Sequence, residues 1–224
     1  MRAFFAVLPP AEVLDDLAGY LEPRRDADTD RVWRWTRTQH LHLTLAFLGD
    51  LPDWREDEVI AAATQWAGRQ RPVTMRWGGA GAFPDPGAAK VMWIGVTEED
   101  VGRELTSWAR ALRDLASHAG ADVDGQRFTP HVTVARSARR VRAGRWVQSL
   151  DAYESPEFTV EDVALVESHL GEGPGRSPRY ESGRPSDSAR ASRPRRPRPP
   201  RPARSAGWRR RGLARRSAPP PRAR

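Results

Sequence analysis

Two short motifs constrain the fold of this chain more than any other feature. They are His-Leu-Thr-Leu at residues 42–45 and His-Val-Thr-Val at residues 131–134. Each lies in a run typical of a β-strand, LHLTLAFL (41–48) and PHVTVA (130–135). Successive side chains of a strand point to opposite faces, so the histidine and threonine of each motif share one face and the aliphatic residues face a core. If the two strands lie side by side, two imidazoles and two hydroxyls meet in one cleft.

This set of side chains favours proton transfer on a phosphate ester. Histidine titrates near pH 6.5, so it can take up or release a proton near neutrality, and hydroxyls can bind phosphate oxygens. A single H-x-T occurs by chance, and a lone strand histidine is more often a packed or surface residue. Here the motif occurs twice, each time in a predicted strand, and His131 follows His42 by 89 positions. This repetition favours a functional pair over two unrelated packed or surface histidines.

The rest of the chain predicts an alternation of strands and helices. Hydrophobic periodicity predicts strands over 2–8, 32–36, 73–77, 90–96 and 158–167, and helices over 11–21, 54–69, 97–119 and 138–150. Residues 23–30 are predicted to form a loop, and the second motif strand is predicted to end near Arg136. The order of elements suggests two similar halves, each supplying one histidine strand, although no sequence repeat extends beyond the motifs.

Composition narrows the class of protein. The chain has no cysteine, which excludes disulfides and a thiolate zinc site. It has no apolar run of about 18 residues that could span a membrane. The apolar run at the N-terminus is short and is soon followed by Pro9 and Pro10, which is not typical of a signal peptide. We therefore expect a cytoplasmic protein that does not enter membranes.

The net charge of +8 comes from the C-terminal tail. Of 37 basic and 29 acidic residues, 15 arginines and one acid lie from Gly183 onward, which leaves 22 basic and 28 acidic residues in 1–182. Proline and arginine dominate the tail, which holds too few apolar side chains to offset its chain entropy. The sequence therefore predicts a folded domain over 1–182 and a disordered Arg/Pro-rich tail over 183–224.

The chain resembles the two-histidine (2H) phosphoesterase superfamily. Within it, the best match is the RNA 2',3'-cyclic phosphodiesterases, historically called 2'-5' RNA ligases. The resemblance runs in the family's order through RAFFAVLPP (2–10), HLHLTLAFLGDL (40–51), GAGAFPDPGAAKVMWIGV (79–96), RFTPHVTVARS (127–137) and FTVEDVALVESHLGEGPGRSPRY (158–180). It implies an α+β, two-lobed, pseudo-symmetric fold, with antiparallel sheets flanked by helices and a central cleft.

The resemblance also implies a site and a reaction. His42 and His131 would be the catalytic acid and base, with His42 the acid for the 3'-oxygen and His131 the base for water. Thr44, Thr133 and Arg136, which matches the family's H-x-T-x-x-R pattern, would bind the phosphate. The enzyme would hydrolyse 2',3'-cyclic phosphates on RNA ends or small cyclic nucleotides to 2'-phosphomonoesters, without metal or cofactor, with weak reverse ligation as a further activity. We expect a monomer.

The chain departs from the family after Arg179 and Tyr180. Family members continue there with a hydrophobic strand, whereas this chain continues with the arginine-proline tail. One interpretation is an authentic basic extension that binds phosphate backbones. The other, which we favour, is the product of a shifted reading frame, in which case the domain lacks its last strand.

Three alternatives and the orientation of Phe47 remain open. The chain could be a nucleotide- or RNA-binding module on the same fold without catalysis, or an RNA-binding protein acting through its tail. His40 shares a strand face with His42 and, together with His131, could form a three-imidazole zinc set. Phe47 could lie near a substrate base or pack inward.

Overall fold

The computed structural model describes residues 2–123, 125, 127–169, 179–182 and 205–207. The helices in this part of the chain are α1 (Ala11–Ala27), α2 (Glu56–Ala67), α3 (Glu99–His118) and α4 (Gly144–Asp151). The strands are β1 (Arg2–Val7), β2 (Arg34–Trp35), β3 (Leu43–Asp50), β4 (Val73–Met75), β5 (Trp77–Phe83), β6 (Ala89–Val96), β7 (Val132–Val141), β8 (Phe158–Val160), β9 (Asp162–His169), β10 (Arg179–Ser182) and β11 (Ser205–Gly207).

Nine of these strands form one antiparallel sheet with the two motif strands at its centre. The order is β10-β9-β1-β3-β7-β6-β5, with β2 also paired to β7 and β11 to β9, while β4 and β8 form a separate pair. The half β9-β1-β3 therefore meets the half β7-β6-β5 at the β3–β7 junction. This confirms the predicted α+β fold of two similar halves, each of which supplies one histidine strand.

The helices bury their apolar stripes against this sheet. Leu17 and Leu21 of α1 and Leu105 and Leu112 of α3 are fully buried in one core cluster with Leu43 and Val132 of the motif strands. The aliphatic side of both motifs therefore anchors the centre of the sheet, as their alternation predicts. No helix in the described part of the chain is long and apolar enough to cross a membrane.

Helix α1 is longer than predicted. It continues through Pro23 to Ala27, where the sequence predicts a loop. Proline interrupts helix hydrogen bonding, but the next residue holds the turn in place. The Arg24 guanidinium lies 3.6 Å from the centre of the Tyr20 ring and donates a 2.7 Å hydrogen bond from Nη2 to the Ser149 carbonyl. This contact outside the helix explains why the loop prediction is wrong.

Strand β7 also extends beyond its predicted end. The sequence predicts that the strand ends near Arg136 and that a helix begins at Ala138, but the strand runs to Val141 and α4 begins at Gly144. Strand β6 provides the hydrogen-bonding partner, with Ala89 paired to Val141. This non-local pairing overrides the local helical preference of the segment.

Most of the predicted tail, 183–224, lies outside the described residues. Within it, the structure describes Ser205–Gly207, which pairs antiparallel with Asp162–Ala164 of β9, and the disorder of the tail stays a prediction. The same edge of β9 pairs with β10, Ser182 lying opposite Val166. An uncovered strand edge presents unpaired N–H and C=O groups, and the proline-free Ser-Ala-Gly segment can bond to them. Whether the tail is authentic stays a prediction.

Candidate active site

The two motif histidines lie immediately before the two central strands. β3 begins at Leu43 and β7 at Val132, and these two residues are antiparallel partners. Continued by one residue on each side, an antiparallel ladder would bring His42 opposite Thr133 and Thr44 opposite His131. The His131 charge contributes to the lowered pKa of His42, so the two imidazoles are close to each other. The structure therefore brings together the four side chains that the two motifs predict to share a cleft.

Exposure along both motifs follows the predicted alternation. Leu43, Leu45, Val132 and Val134 are buried, whereas the histidine and threonine of each motif are only partly buried. The imidazoles and hydroxyls therefore occupy the face of the sheet opposite the core.

A bulge in β7 turns Arg136 to the same face as His131. Thr133 is paired with Trp93 of β6, but the next pair is Ala135 with Met92, so Val134 is an extra residue. Val134 and Ala135 are consecutively buried, and Arg136 is exposed. Strict alternation would have placed Arg136 on the core side, because it lies an even number of residues after Val132.

The first motif has a bulge at the equivalent position. In the β1–β3 pairing, Phe5 lies opposite Ala46 and Ala6 opposite Thr44, which makes Leu45 the extra residue. Phe47, the counterpart of Arg136, is 52% exposed, and its ring centre lies 5.8 Å from that of Phe4. Phe47 therefore does not pack inward, and the two halves of the cleft differ by an aromatic ring on one side and a guanidinium on the other.

Each histidine is oriented by a backbone carbonyl two residues earlier. Nδ1 of His42 lies 2.7 Å from the His40 carbonyl oxygen, and Nδ1 of His131 lies 2.7 Å from the Thr129 carbonyl oxygen. A carbonyl can only accept, so Nδ1 carries the proton in both rings. Nε2 is therefore the nitrogen that gains or loses a proton in each imidazole.

Aromatic side chains that the sequence reasoning missed surround both imidazoles. The Phe4 ring stacks on His42 with a centroid distance of 4.9 Å and an interplanar angle of 27°. The His131 ring lies beside Phe83, with a centroid distance of 5.0 Å, and beside Trp93, at 6.0 Å. One sequence signal for this packing is the glycine-rich β5, because a Cβ at Gly81 would collide with the Trp93 indole.

These surroundings keep both imidazoles neutral at pH 7. Burial lowers the pKa of His42 to about 4; the hydrogen bond to the His40 carbonyl opposes this, and the Arg136 charge adds to it. Burial likewise lowers the pKa of His131, opposed by its hydrogen bond to Thr129 and assisted by Arg136. The Arg136 guanidinium thus acts on both histidines, and a bound phosphate anion would offset its charge.

A segment that the sequence did not single out supports the bulge of β7. Thr36 donates from Oγ1 to the Thr133 carbonyl and from its backbone N–H to the Val134 carbonyl, both at 2.9 Å. The buried Asp28 carboxylate fixes the preceding residues by accepting from the backbone N–H groups of Val32 and Trp33, both at 3.0 Å. This chain of hydrogen bonds determines the backbone on which Thr133 and Arg136 lie.

The zinc alternative has no geometric support in the described residues. Among them, no group of three or more His, Cys, Asp or Glu side chains could hold a metal ion. His40 instead contributes its backbone carbonyl to His42.

Comparison with known proteins identifies the family. The family model for the 2'-5' RNA ligase superfamily matches residues 12–172. The RNA 2',3'-cyclic phosphodiesterase of Thermus thermophilus is 33% identical over 173 residues, which cover 76% of this chain and 83% of the relative. The Aquifex aeolicus protein of the same name is 30% identical over 150 residues, covering 66% of this chain and 79% of the relative.

Two solved structures have the same fold. TT0787 of Thermus thermophilus matches with a TM-score of 0.63 and 29% identity, over 81% of this chain and 94% of that one. Escherichia coli LigT complexed with 3'-AMP matches with a TM-score of 0.62 and 26% identity, over 82% and 95% of the two chains. This chain belongs to the 2'-5' RNA ligase superfamily.

Proposed function

We propose that this protein is an RNA 2',3'-cyclic phosphodiesterase that hydrolyses the cyclic phosphate without a metal ion. The observation that carries the proposal is the pairing of Leu43 with Val132, the residues that directly follow the two motif histidines. The relatives from Thermus thermophilus and Aquifex aeolicus are named for this activity.

In the proposed reaction His131 is the general base and His42 the general acid. Nε2 of His131 takes a proton from water, and the resulting hydroxide forms a bond to phosphorus. The bond from phosphorus to the 3'-oxygen breaks, and that oxygen takes the proton from Nε2 of His42. The product is a 2'-phosphomonoester with a 3'-hydroxyl.

The electrostatics of the site are compatible with these roles. His131 is neutral at pH 7, as a base must be, because burial lowers its pKa. His42 must be protonated to act as the acid, and its pKa of about 4 applies to the site without substrate. The phosphodiester anion would raise that pKa by offsetting the Arg136 charge, and Thr44 and Thr133 would bind the phosphoryl oxygens.

The test is turnover in EDTA of an RNA oligonucleotide that ends in a 2',3'-cyclic phosphate. We expect the wild-type protein to produce a 2'-phosphate end, and His42→Ala and His131→Ala to lose at least about 100-fold in kcat/KM. The matched control is His118→Ala, since His118 is exposed at the end of α3 and its substitution should leave turnover unchanged.

Two results would contradict the proposal. A 3'-phosphate product would reject the assignment of the 3'-oxygen as leaving group. Absence of turnover from a sample that circular dichroism shows to be folded, and that still binds the oligonucleotide, would support the non-catalytic binding module instead.

A further inference from the structure

Strand β7 continues from the catalytic cleft into a cluster of exposed arginines. Beyond Arg136 the strand and the loop that follows carry Arg139, Arg140 and Arg142, and Arg145 lies in the first turn of α4. All four are exposed, and we call these four residues the arginine patch. Arg139 and Arg140 are consecutive in β7, so the patch occupies both faces of the end of the strand. At about 3.3 Å per residue, Arg139 lies up to about 10 Å beyond Arg136 along the strand, and Arg142 up to about 20 Å.

The charge of the patch is not balanced locally. Among the residues that the structure describes, no carboxylate forms an ion pair with any of its four guanidinium groups. A nearby acid is Asp85, in the turn whose Pro86 carbonyl accepts from the Ala143 N–H, and the Asp85 carboxylate accepts from backbone N–H groups of its own turn. The first turn of α4 has no acidic residue and no capping side chain, so the helix dipole adds to the positive potential.

The patch is positively charged, whereas the domain that carries it has a negative net charge. Residues 1–182 hold 22 basic and 28 acidic residues, so the domain as a whole repels a polyanion. An RNA whose terminal phosphate occupies the cleft can therefore follow a favourable path only where basic residues are concentrated. Strand β7 and the segment that follows it provide such a path, because they carry the motif threonine, Arg136 and then the patch.

We propose that the arginine patch binds the phosphate backbone of single-stranded RNA upstream of the cyclic phosphate. The inference rests on the proposed function and concerns where the RNA chain beyond the terminal phosphate binds. Arginine contacts to successive phosphates supply affinity without reading sequence. The patch therefore acts on the binding of long substrates and leaves the chemical step unchanged.

The test compares two triple variants of the full-length chain. One carries Arg139→Gln, Arg140→Gln and Arg142→Gln. The matched control carries Arg69→Gln, Arg71→Gln and Arg110→Gln, three exposed arginines on α3 and the loop after α2, so the same charge is removed from other elements of the fold. Both keep the whole tail, whose contribution therefore cancels in the comparison.

Each variant is assayed on a single-stranded RNA decamer with a 2',3'-cyclic phosphate end and on 2',3'-cyclic AMP, between 50 and 200 mM salt. We expect the patch variant to raise KM for the decamer about tenfold at low salt. The slope of log KM against the logarithm of the salt concentration should fall by about 2 in this variant. Each lost phosphate contact on a single strand lowers that slope by about 0.7, and the variant loses three. Turnover of 2',3'-cyclic AMP should be unchanged in the patch variant. The control variant should match the wild-type protein on both substrates.

An unchanged KM and salt slope for the decamer, with normal cyclic AMP turnover, would overturn the patch proposal alone. If the wild-type protein turns over neither substrate, the proposed function fails instead. Fluorescence anisotropy with a labelled decamer ending in a 2'-phosphate then still decides the patch. A loss of affinity in the patch variant only would support it, and equal affinities in all three proteins would reject it.

Discussion

The substitution Gly81→Ala tests whether the aromatic packing around His131 matters for turnover. A Cβ at position 81 would lie within 3 Å of three carbons of the Trp93 indole, one of them Cε2 at 2.6 Å. Carbon atoms in contact are normally about 3.5–4.0 Å apart, so the indole must retreat by about 1 Å. The indole centre lies 5.4 Å from Phe83 and 6.0 Å from His131, so such a movement reaches the imidazole.

Two magnitudes follow from this displacement. Overpacking of this kind costs about 1–3 kcal/mol of the free energy of unfolding, which a domain with about 5–15 kcal/mol can tolerate. A shift of about 1 Å in a positioned catalytic group can cost up to about 100-fold in rate. We therefore expect a folded protein whose kcat on a cyclic nucleotide falls roughly 10- to 100-fold.

The assay pairs kcat with urea denaturation, and Gly19→Ala is the control. A Cβ at Gly19 meets nothing within 4 Å, and in helix α1 the change should stabilise the protein by about 0.5–1 kcal/mol without affecting kcat. Adding Trp93→Phe to Gly81→Ala should restore stability, because the smaller ring relieves the collision. If Gly81→Ala lowers stability as expected while kcat stays at the wild-type value, Trp93 does not position His131.

The remaining predictions concern pH and the support of β7. Burial and Arg136 hold the pKa values of both imidazoles below 6.5, so kcat/KM should be maximal on the acid side of pH 6.5 and fall as the pH rises. Arg136→Gln should raise both pKa values and move the profile to higher pH; a profile that moves to lower pH or not at all would refute this electrostatic role. Asp28→Asn should lower the free energy of unfolding by about 1–3 kcal/mol. Three N–H groups donate hydrogen bonds to the Asp28 carboxylate, and an amide leaves one of them without an acceptor. Asp30→Asn, at an exposed neighbouring position, should leave urea denaturation unchanged, and equal loss in both variants would contradict the argument.

Local pattern was enough to predict the elements that place the motifs. Aliphatic and polar residues alternate in both motif strands, and the buried Leu43 and Val132 confirm which side faces the core. The same alternation predicted that each histidine shares a face with its own threonine. These predictions succeed because the period of a strand is a local property of the backbone.

Other features depended on contacts between distant segments. Alternation alone would turn Arg136 toward the core, and only the pairing with β6 shows that the extra residue Val134 reverses its direction. Thr36 supports that bulge from 97 residues away in sequence, so no local pattern could indicate it.

The sequence by itself determined the chemical groups of the candidate site: two imidazoles and two hydroxyls on two strands. The tertiary structure decided how these groups are tuned. The Phe4, Phe83 and Trp93 rings come from neighbouring strands, and the burial they contribute to shifts the pKa values of the imidazoles. The physical reason is that strand periodicity acts over a few residues, whereas strand pairing and desolvation depend on which distant residues the fold brings into contact.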